Sequence, residues 1–264
     1  MSTPVTERVN PEVPPSTQSV VDIRNFKMSF GDKVVIKDLS FEVKKGEVFG
    51  FLGSNGSGKT TTIRALLGIY QPTAGELLIE GKTFSVSSSV KLGYLPEERG
   101  LYKKESVIDV MVYFGQLHGL KREDARQRSE AYLQRVKLAD MAHTRLDKLS
   151  GGQQQKVQLG ITIMHDPSLL ILDEPTKGFD PVNRRLLMDI IEEHREKGAT
   201  IIFVTHQMEE VERLCDRIIL LKDGTSRAYG SIADVKKLFG GASLDDIFLQ
   251  VYSDENEAET KGGN

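Results

Sequence analysis

The sequence predicts an α/β fold built on a largely parallel sheet, because short apolar runs alternate with amphipathic helical segments along most of the chain. Buried strands are predicted at residues 47–52, 169–172 and 200–204, where apolar side chains follow one another with few interruptions. Between the last two strands, a helix is predicted to begin after Asp180 and to end before Gly198. The result is a strand–helix–strand unit, the building block of a parallel sheet.

The other segments follow in chain order. Residues 1–19 are rich in Pro, Ser, Thr and Val and show no helix or strand period, so we expect a flexible leader. Apolar side chains alternate over residues 39–43, which predicts a half-exposed strand. The pattern predicts one domain over residues 20–235, with an all-helical insertion at about residues 98–166.

The insertion and the chain end carry their own signals. Ser106 and Asp109 have the spacing of a capping box ahead of an apolar helix face, and residues 121–136 are predicted to form a second helix. After the domain, residues 236–264 form a short extension whose last twelve residues carry four acids and one lysine. This end is predicted to be a solvated acidic tail.

Composition excludes several classes of protein. The 264 residues contain 35 Lys plus Arg against 38 Asp plus Glu, so no basic surface for nucleic acid is expected. No apolar run approaches the roughly 18 residues that a membrane-spanning helix needs, and no secretory signal is visible. The single cysteine, Cys215, fits a reducing cytosol.

A glycine-rich segment predicts a phosphate site, because it fits the pattern G-x-x-x-x-G-K-[ST] between a buried strand and a helical run at residues 61–70. Glycines let backbone N–H groups converge on a polyphosphate, and the helix N-terminus adds partial positive charge. Lys59 is expected to reach the β- and γ-phosphates, and the Thr60 hydroxyl to ligate Mg²⁺. The residues expected to bind a nucleoside triphosphate are Gly53, Ser54, Asn55, Gly56, Ser57, Gly58, Lys59, Thr60 and Thr61.

Two adjacent carboxylates end the predicted strand at residues 169–172. Side chains alternate between the faces of a strand, so the two can do different work. Asp173 is the candidate for holding magnesium, and Glu174 the candidate for polarising the attacking water.

A phosphate loop alone leaves kinases, GTPases, helicases and transport ATPases open. The four residues from Thr176 to Phe179 fail as a guanine-recognition motif, which disfavours GTP. A second anion site is predicted where a serine, two glycines and a glutamine precede a helical run: Ser150, Gly151, Gly152 and Gln153.

This second motif, placed between the phosphate loop and Asp173-Glu174, resembles the signature of the ATP-binding cassette (ABC) ATPases, over about residues 20–230. The resemblance implies a P-loop NTPase, RecA-like core with an antiparallel β subdomain and an inserted α-helical signature subdomain. It also implies ATP as the nucleotide, and a head-to-tail dimer in which one subunit's signature closes over ATP held by the other. By the same resemblance, His206 is the switch histidine that contacts the γ-phosphate, and Phe30 stacks on adenine.

The sequence departs from the family pattern in three places. Glu97 stands where most members have glutamine; by the resemblance it is expected to bind magnesium with Thr60 and Asp173, although its carboxylate adds charge beside Asp173 and Glu174. Lys177 and its neighbours replace the commoner Ser-x-Leu, while Asp180 is kept for the dimer contact. Lys156 replaces the usual arginine.

The loop with Glu97, together with residues 243–249, resembles ATPases of bacterial exporters for sodium ions and drugs. The sequence therefore predicts an ATPase subunit, a homodimer by expectation, that lies peripherally at the cytoplasmic face of the membrane and powers a separate integral membrane permease. Residues 97–114 are the predicted docking surface.

Two alternatives remain at this point. A soluble single-cassette ABC ATPase of an assembly system, such as iron–sulfur cluster biogenesis, shares the same motifs. A P-loop kinase leaves the stretch at residues 149–153 and His206 unexplained.

Overall fold

A computed structural model describes residues 19–85, 90–98, 100 and 102–259, with side chains described as far as Tyr252. Most of the predicted leader and the last five residues of the predicted acidic tail lie outside this range. The described strands are β1 Ser19–Phe30, β2 Lys33–Lys44, β3 Val48–Gly53, β4 Ala74–Ile79, β5 Leu92–Leu95, β6 Leu169–Asp173, β7 Thr200–Thr205, β8 Arg217–Lys222 and β9 Thr225–Ser231.

The described α-helices are α1 Lys59–Leu66, α2 Val107–Leu117, α3 Arg122–Arg135, α4 Gly151–Ile163, α5 Pro181–Glu196, α6 Met208–Leu214, α7 Ile232–Leu238 and α8 Leu244–Glu259. Two short 3₁₀ helices, Ala139–Met141 and Leu146–Lys148, lie between α3 and α4. Among these helices, none combines the length and the apolar character that crossing a bilayer requires.

The chain divides into two compact units. The first contains the described residues up to 85 and from 202 onward, and the second runs from Val90 to Ile201, so that the boundary falls inside β7. The α/β fold class is confirmed. The boundaries predicted for the domain and its insertion stay predictions.

The first unit holds strands in the order β4-β1-β2-β9-β8-β3-β7. β1 pairs antiparallel with β2 and β4, whereas β3 pairs in parallel with β8 from Phe49 opposite Arg217 to Gly53 opposite Leu221. Every residue of β3 is buried, as its unbroken apolar run predicts. β1, β2 and β4 thus form the antiparallel part that the family resemblance implies, beside the parallel pairing of β3 with β8.

Helix α1 is shorter than the sequence indicates and begins earlier. It begins at Lys59 instead of residue 61, and ends at Leu66 because Gly68 takes a left-handed φ of 69°. The backbone N–H groups of Ile69 and Tyr70 then donate to the Arg64 carbonyl, which closes the helix end.

In the second unit, β5 pairs in parallel with β6, from Leu92 opposite Leu169 to Leu95 opposite Leu172. Helices α2, α3 and α4 lie between these strands in the sequence and pack closely. A Cβ added to Gly160 would lie 2.4 Å from the Tyr132 ring, so glycine allows α3 and α4 to approach.

The predicted cap of α2 is present with a variation. Ser106 Oγ accepts from the Asp109 backbone N–H, as a cap should, but the Asp109 carboxylate accepts from the Ser106 hydroxyl at 2.5 Å. The helix predicted at 121–136 is α3, with Lys121 and Val136 as its caps.

Candidate functional site

The phosphate loop connects β3 to α1 in the first unit and depends on two glycines with no room for a side chain. A Cβ on Gly53 would lie 2.4 Å from Ser57 Oγ and 2.7 Å from the Leu221 carbonyl oxygen. Gly58 has a φ of 109°, and its Cβ would lie 2.3 Å from Ile36 Cδ1. The sequence therefore needs glycine here both for conformation and for space.

The Lys59 side chain turns back along the phosphate loop. Its Nζ donates to the carbonyl oxygens of Gly53 at 2.7 Å and Ser54 at 2.9 Å, and the side chain is buried. An ammonium fixed along the loop is placed to meet anionic oxygens that the loop receives.

The loop also fits a polyphosphate by its donors. Helix α1 begins without a side-chain cap, so the N–H groups of its first turn face the loop as partial positive charge. The buried Ser57 hydroxyl has no hydrogen-bond partner among the described residues. Thr60 and Thr61 are half-buried in the first turn of α1.

Phe30 lies at the end of β1 with 45% of its surface exposed. Its ring meets the Tyr70 ring edge-on at a centroid distance of 5.2 Å, and Arg64 donates to the Tyr70 hydroxyl at 3.1 Å. An exposed ring held on one side by a neighbour is able to stack on a base with the other. The adenine contact of Phe30 stays a prediction.

His206 directly follows β7 and is exposed. The turn that carries it is fixed by Thr205, whose Oγ1 accepts from the Gln207 N–H at 3.1 Å and donates to Glu210 at 3.2 Å. The role of His206 as a switch stays a prediction.

The second unit carries the predicted carboxylates at the end of β6. Asp173 and Glu174 are both buried. Glu174 has a left-handed φ of 49°, which is unfavourable for a residue with a Cβ and which marks functional turns in many proteins. The Lys177 N–H closes the turn on the Glu174 carbonyl at 3.2 Å.

Glu97 meets Lys177 at the same end of the paired strands. Lys177 Nζ donates to Glu97 Oε1 at 2.6 Å, although 80 residues separate them. This contact with Glu97 raises the pKa of Lys177, and the charges of Glu174 and Asp173 add to the effect. Sequence reasoning singled out both residues as departures from the family pattern but did not connect them.

The segment predicted as a second anion site forms a capping box at the start of α4. Ser150 Oγ accepts from the Gln153 N–H, and Gln153 Oε1 accepts from the Ser150 N–H at 2.8 Å. The spacing Ser-x-x-Gln is the sequence signature of this cap, so the role was available from the sequence. Contact of Ser150, Gly151, Gly152 and Gln153 with nucleotide stays a prediction.

Phe179 and Asp180 shape the turn before α5, within the segment 177–180 that departs from the family pattern. The Phe179 ring lies under Gly152, where a Cβ would come 3.4 Å from it. The Asp180 carboxylate accepts from the Asn183 N–H at 2.9 Å and caps α5, and this hydrogen bond lowers the pKa of Asp180. Its expected dimer contact stays a prediction.

Whether the predicted residues suit a magnesium ion depends on their donor atoms. The described residues contain no cluster of three or more His, Cys, Asp or Glu side chains able to hold a metal. A hydroxyl, a carboxylate and phosphate oxygens with water suit Mg²⁺, which seldom uses an all-protein cage. Thr60 and Asp173 supply these donor types.

Three comparisons describe what the chain resembles. A family model described as "ABC transporter" matches residues 36–177. An uncharacterized ABC transporter ATP-binding protein of Methanocaldococcus jannaschii is 46% identical over 81% of this chain and 79% of its own. A linearmycin resistance ATP-binding protein of Bacillus subtilis is 35% identical over 90% of this chain and 77% of its own.

A Nod factor export ATP-binding protein of a Rhizobium species is 38% identical over 80% of this chain and 70% of its own. A solved structure described as the ATP-binding subunit of an ABC transporter matches with a TM-score of 0.82 at 28% identity. That match covers 88% of this chain and 99% of the solved one.

Proposed function

The chain belongs to the ABC transporter family and is an ATPase, and we propose that it is the nucleotide-binding subunit of an exporter whose membrane permease is a separate chain. Two relatives support export, because their names give Nod factor export and linearmycin resistance. We place the subunit peripherally at the cytoplasmic face of the membrane, with a second copy as its partner.

The proposed roles follow from the residue types. Lys59 and the loop residues from Gly53 to Thr61 hold the phosphates of ATP, and Phe30 stacks on its adenine. Glu174 polarises the attacking water, and His206 contacts the γ-phosphate. The signature residues 150–153 of the second copy close over the same ATP, so that hydrolysis is linked to opening of the dimer.

Thr60 and Asp173 would hold Mg²⁺, which neutralises charge on the β- and γ-phosphates when bound. Glu97 is a weaker candidate for this role than its sequence position indicates. Its carboxylate already accepts from Lys177 at 2.6 Å, so it offers the metal less than an unpaired carboxylate would.

The observation that carries the permease proposal is an aromatic cluster formed by Tyr102, ahead of α2, and by Tyr113 and Phe114 within α2, inside the predicted docking surface. Tyr102 and Tyr113 are 55% and 46% exposed. Their rings contact each other and Phe114, with centroid distances of 5.6 to 6.1 Å. Clustered exposed aromatic rings are typical of protein interfaces.

Affinity purification from native membranes tests this proposal. A tagged chain should co-isolate a polytopic membrane protein, and replacing Tyr102 and Tyr113 with serine should lower its recovery about tenfold, as loss of interface aromatic anchors does. Leu238→Ser is the matched control, because Leu238 is 60% exposed on α7. If no polytopic protein co-isolates with the unaltered chain, the soluble assembly ATPase is the better assignment.

Mixed dimers test the sharing of sites between copies. Ser150→Arg and Lys59→Ala should each abolish ATP hydrolysis alone. Mixed together, they should regain activity, since one of the two composite sites is then intact. A mixture as inactive as its components would count against shared sites.

A further inference from the structure

Lys177 contacts Glu97 at the edge of the second unit that also carries Asp173 and Glu174. β5 and β6 are parallel neighbours, so the residues that follow them emerge side by side. Glu97 follows β5 by two positions, Asp173 ends β6, and Glu174 follows it directly. The fold therefore gathers three acidic side chains at the same strand ends.

Such a cluster works against binding an anion. Each carboxylate adds negative charge where the proposed function requires the phosphates of ATP, and like charges at short range repel. Lys177 lies beside these carboxylates: its Nζ donates to Glu97 Oε1 at 2.6 Å, and its backbone N–H donates to the Glu174 carbonyl at 3.2 Å.

Lys177 and Glu97 also line one cavity of about 610 Å³ in the second unit. The two side chains are 60% and 42% exposed, so neither is locked by packing. The 2.6 Å hydrogen bond therefore ties two side chains that are otherwise open to solvent.

We infer that Lys177 is a positioning residue whose task is to hold Glu97 and offset its charge, so that the acidic edge accepts ATP. This inference rests on the proposed role of Asp173 and Glu174 in ATP turnover. Lys177 therefore matters mainly because residue 97 is a carboxylate.

The test is a double-mutant cycle on purified protein. Lys177→Met should raise the KM for ATP about threefold to fivefold, the range expected for a partly exposed ion pair, with kcat changed less than about twofold. In a Glu97→Gln background, Lys177→Met should change KM by less than about twofold, because no charge at 97 remains to be offset.

Three further measurements separate positioning from a general loss of charge. The dissociation constant of the fluorescent analogue TNP-ATP should follow the same pattern without turnover. Lys177→Arg should keep most of the affinity, and the effect of Lys177→Met should shrink at high salt. Lys103→Met is the matched control, because Lys103 lines the same cavity and no ion pair with Glu97 is present in the described structure.

Equal effects of Lys177→Met with and without the Glu97→Gln substitution would overturn the inference, as would an equal effect of Lys103→Met. Failure of the site assignment looks different. If Glu174→Gln leaves ATP hydrolysis intact, the proposed roles at this edge are wrong. If Glu174→Gln abolishes hydrolysis while the double-mutant cycle shows no coupling, only the proposed role of Lys177 is wrong.

Discussion

The phosphate loop and the acidic edge are assembled in different ways. In the loop, Lys59 bonds to carbonyls five and six positions earlier, and Gly53 packs against Ser57 four positions later. At the acidic edge, Glu97 pairs with Lys177 across 80 residues, because parallel strand pairing brings the ends of β5 and β6 together. A site formed by residues close together in sequence follows from their spacing. A site formed by residues far apart in sequence depends on how the strands pair.

The strongest challenge to the acidic edge is Glu174→Gln. Loss of the residue that polarises water should lower kcat at least about 100-fold, in the range that general bases contribute. ATP should still bind, so size-exclusion chromatography should show an ATP-trapped dimer. Glu98→Gln, an exposed glutamate that follows the same strand β5, is the control that should retain activity.

Two glycine substitutions test the loop itself. Gly58→Ala should destabilise the protein by about 2–4 kcal/mol, because its left-handed φ and the clash with Ile36 both oppose a Cβ. Gly56→Ala has a φ of 80° but nothing within 4 Å of the added Cβ, so about 1 kcal/mol is expected. Urea unfolding measures both, and equal losses would mean that the close packing on Ile36 is unimportant.

The same difference determines which parts of the fold could be predicted from the sequence. The phosphate loop, the buried strands β3 and β6 and the helix α3 were predicted because each follows from a local pattern of residues. The antiparallel strands β1, β2 and β4 could not be paired from composition or period, since pairing depends on contacts far apart in sequence.

At the candidate site the limits are similar. The positions of Asp173 and Glu174 were predicted from one strand and its end. The Glu97–Lys177 pair was not, because no local spacing relates them. The capping box of Ser150 and Gln153 was missed for another reason: its signature is local, but the same residues were interpreted as an anion site.

Buried His165 offers a test of how the strand leading to Glu97 is held. His165 Nε2 donates to the Leu92 carbonyl of β5 at 3.1 Å, and its ring stacks on His118 at a centroid distance of 3.9 Å. Burial lowers the pKa of His165 to about 4, with His118 and Lys91 lowering it further while the Leu92 carbonyl and Asp166 act in the opposite direction.

Because the folded protein keeps His165 neutral, its contribution to stability is complete above the ordinary pKa of 6.5. It is lost as pH falls from 6.5 toward about 4, with a total of up to about 3 kcal/mol. Unfolding free energies of the unaltered chain and of His165→Gln should therefore converge with falling pH. Parallel pH profiles would show that β5 does not depend on this histidine; His194, whose pKa burial also lowers, contributes to both profiles.

The smallest expected effect concerns Ser150, and it separates a local role from a remote one. Ser150→Ala removes the cap of α4 and should cost about 1 kcal/mol in urea unfolding. Ser150→Asp keeps an acceptor for the Gln153 N–H and should restore that stability. If Ser150 also meets the γ-phosphate of ATP held by a second copy, the new carboxylate repels it, and hydrolysis fails although the fold is intact. Full activity in Ser150→Asp would show that Ser150 only caps its own helix. The signature segment would then act within its own chain, just as the phosphate loop is built from residues close together in sequence.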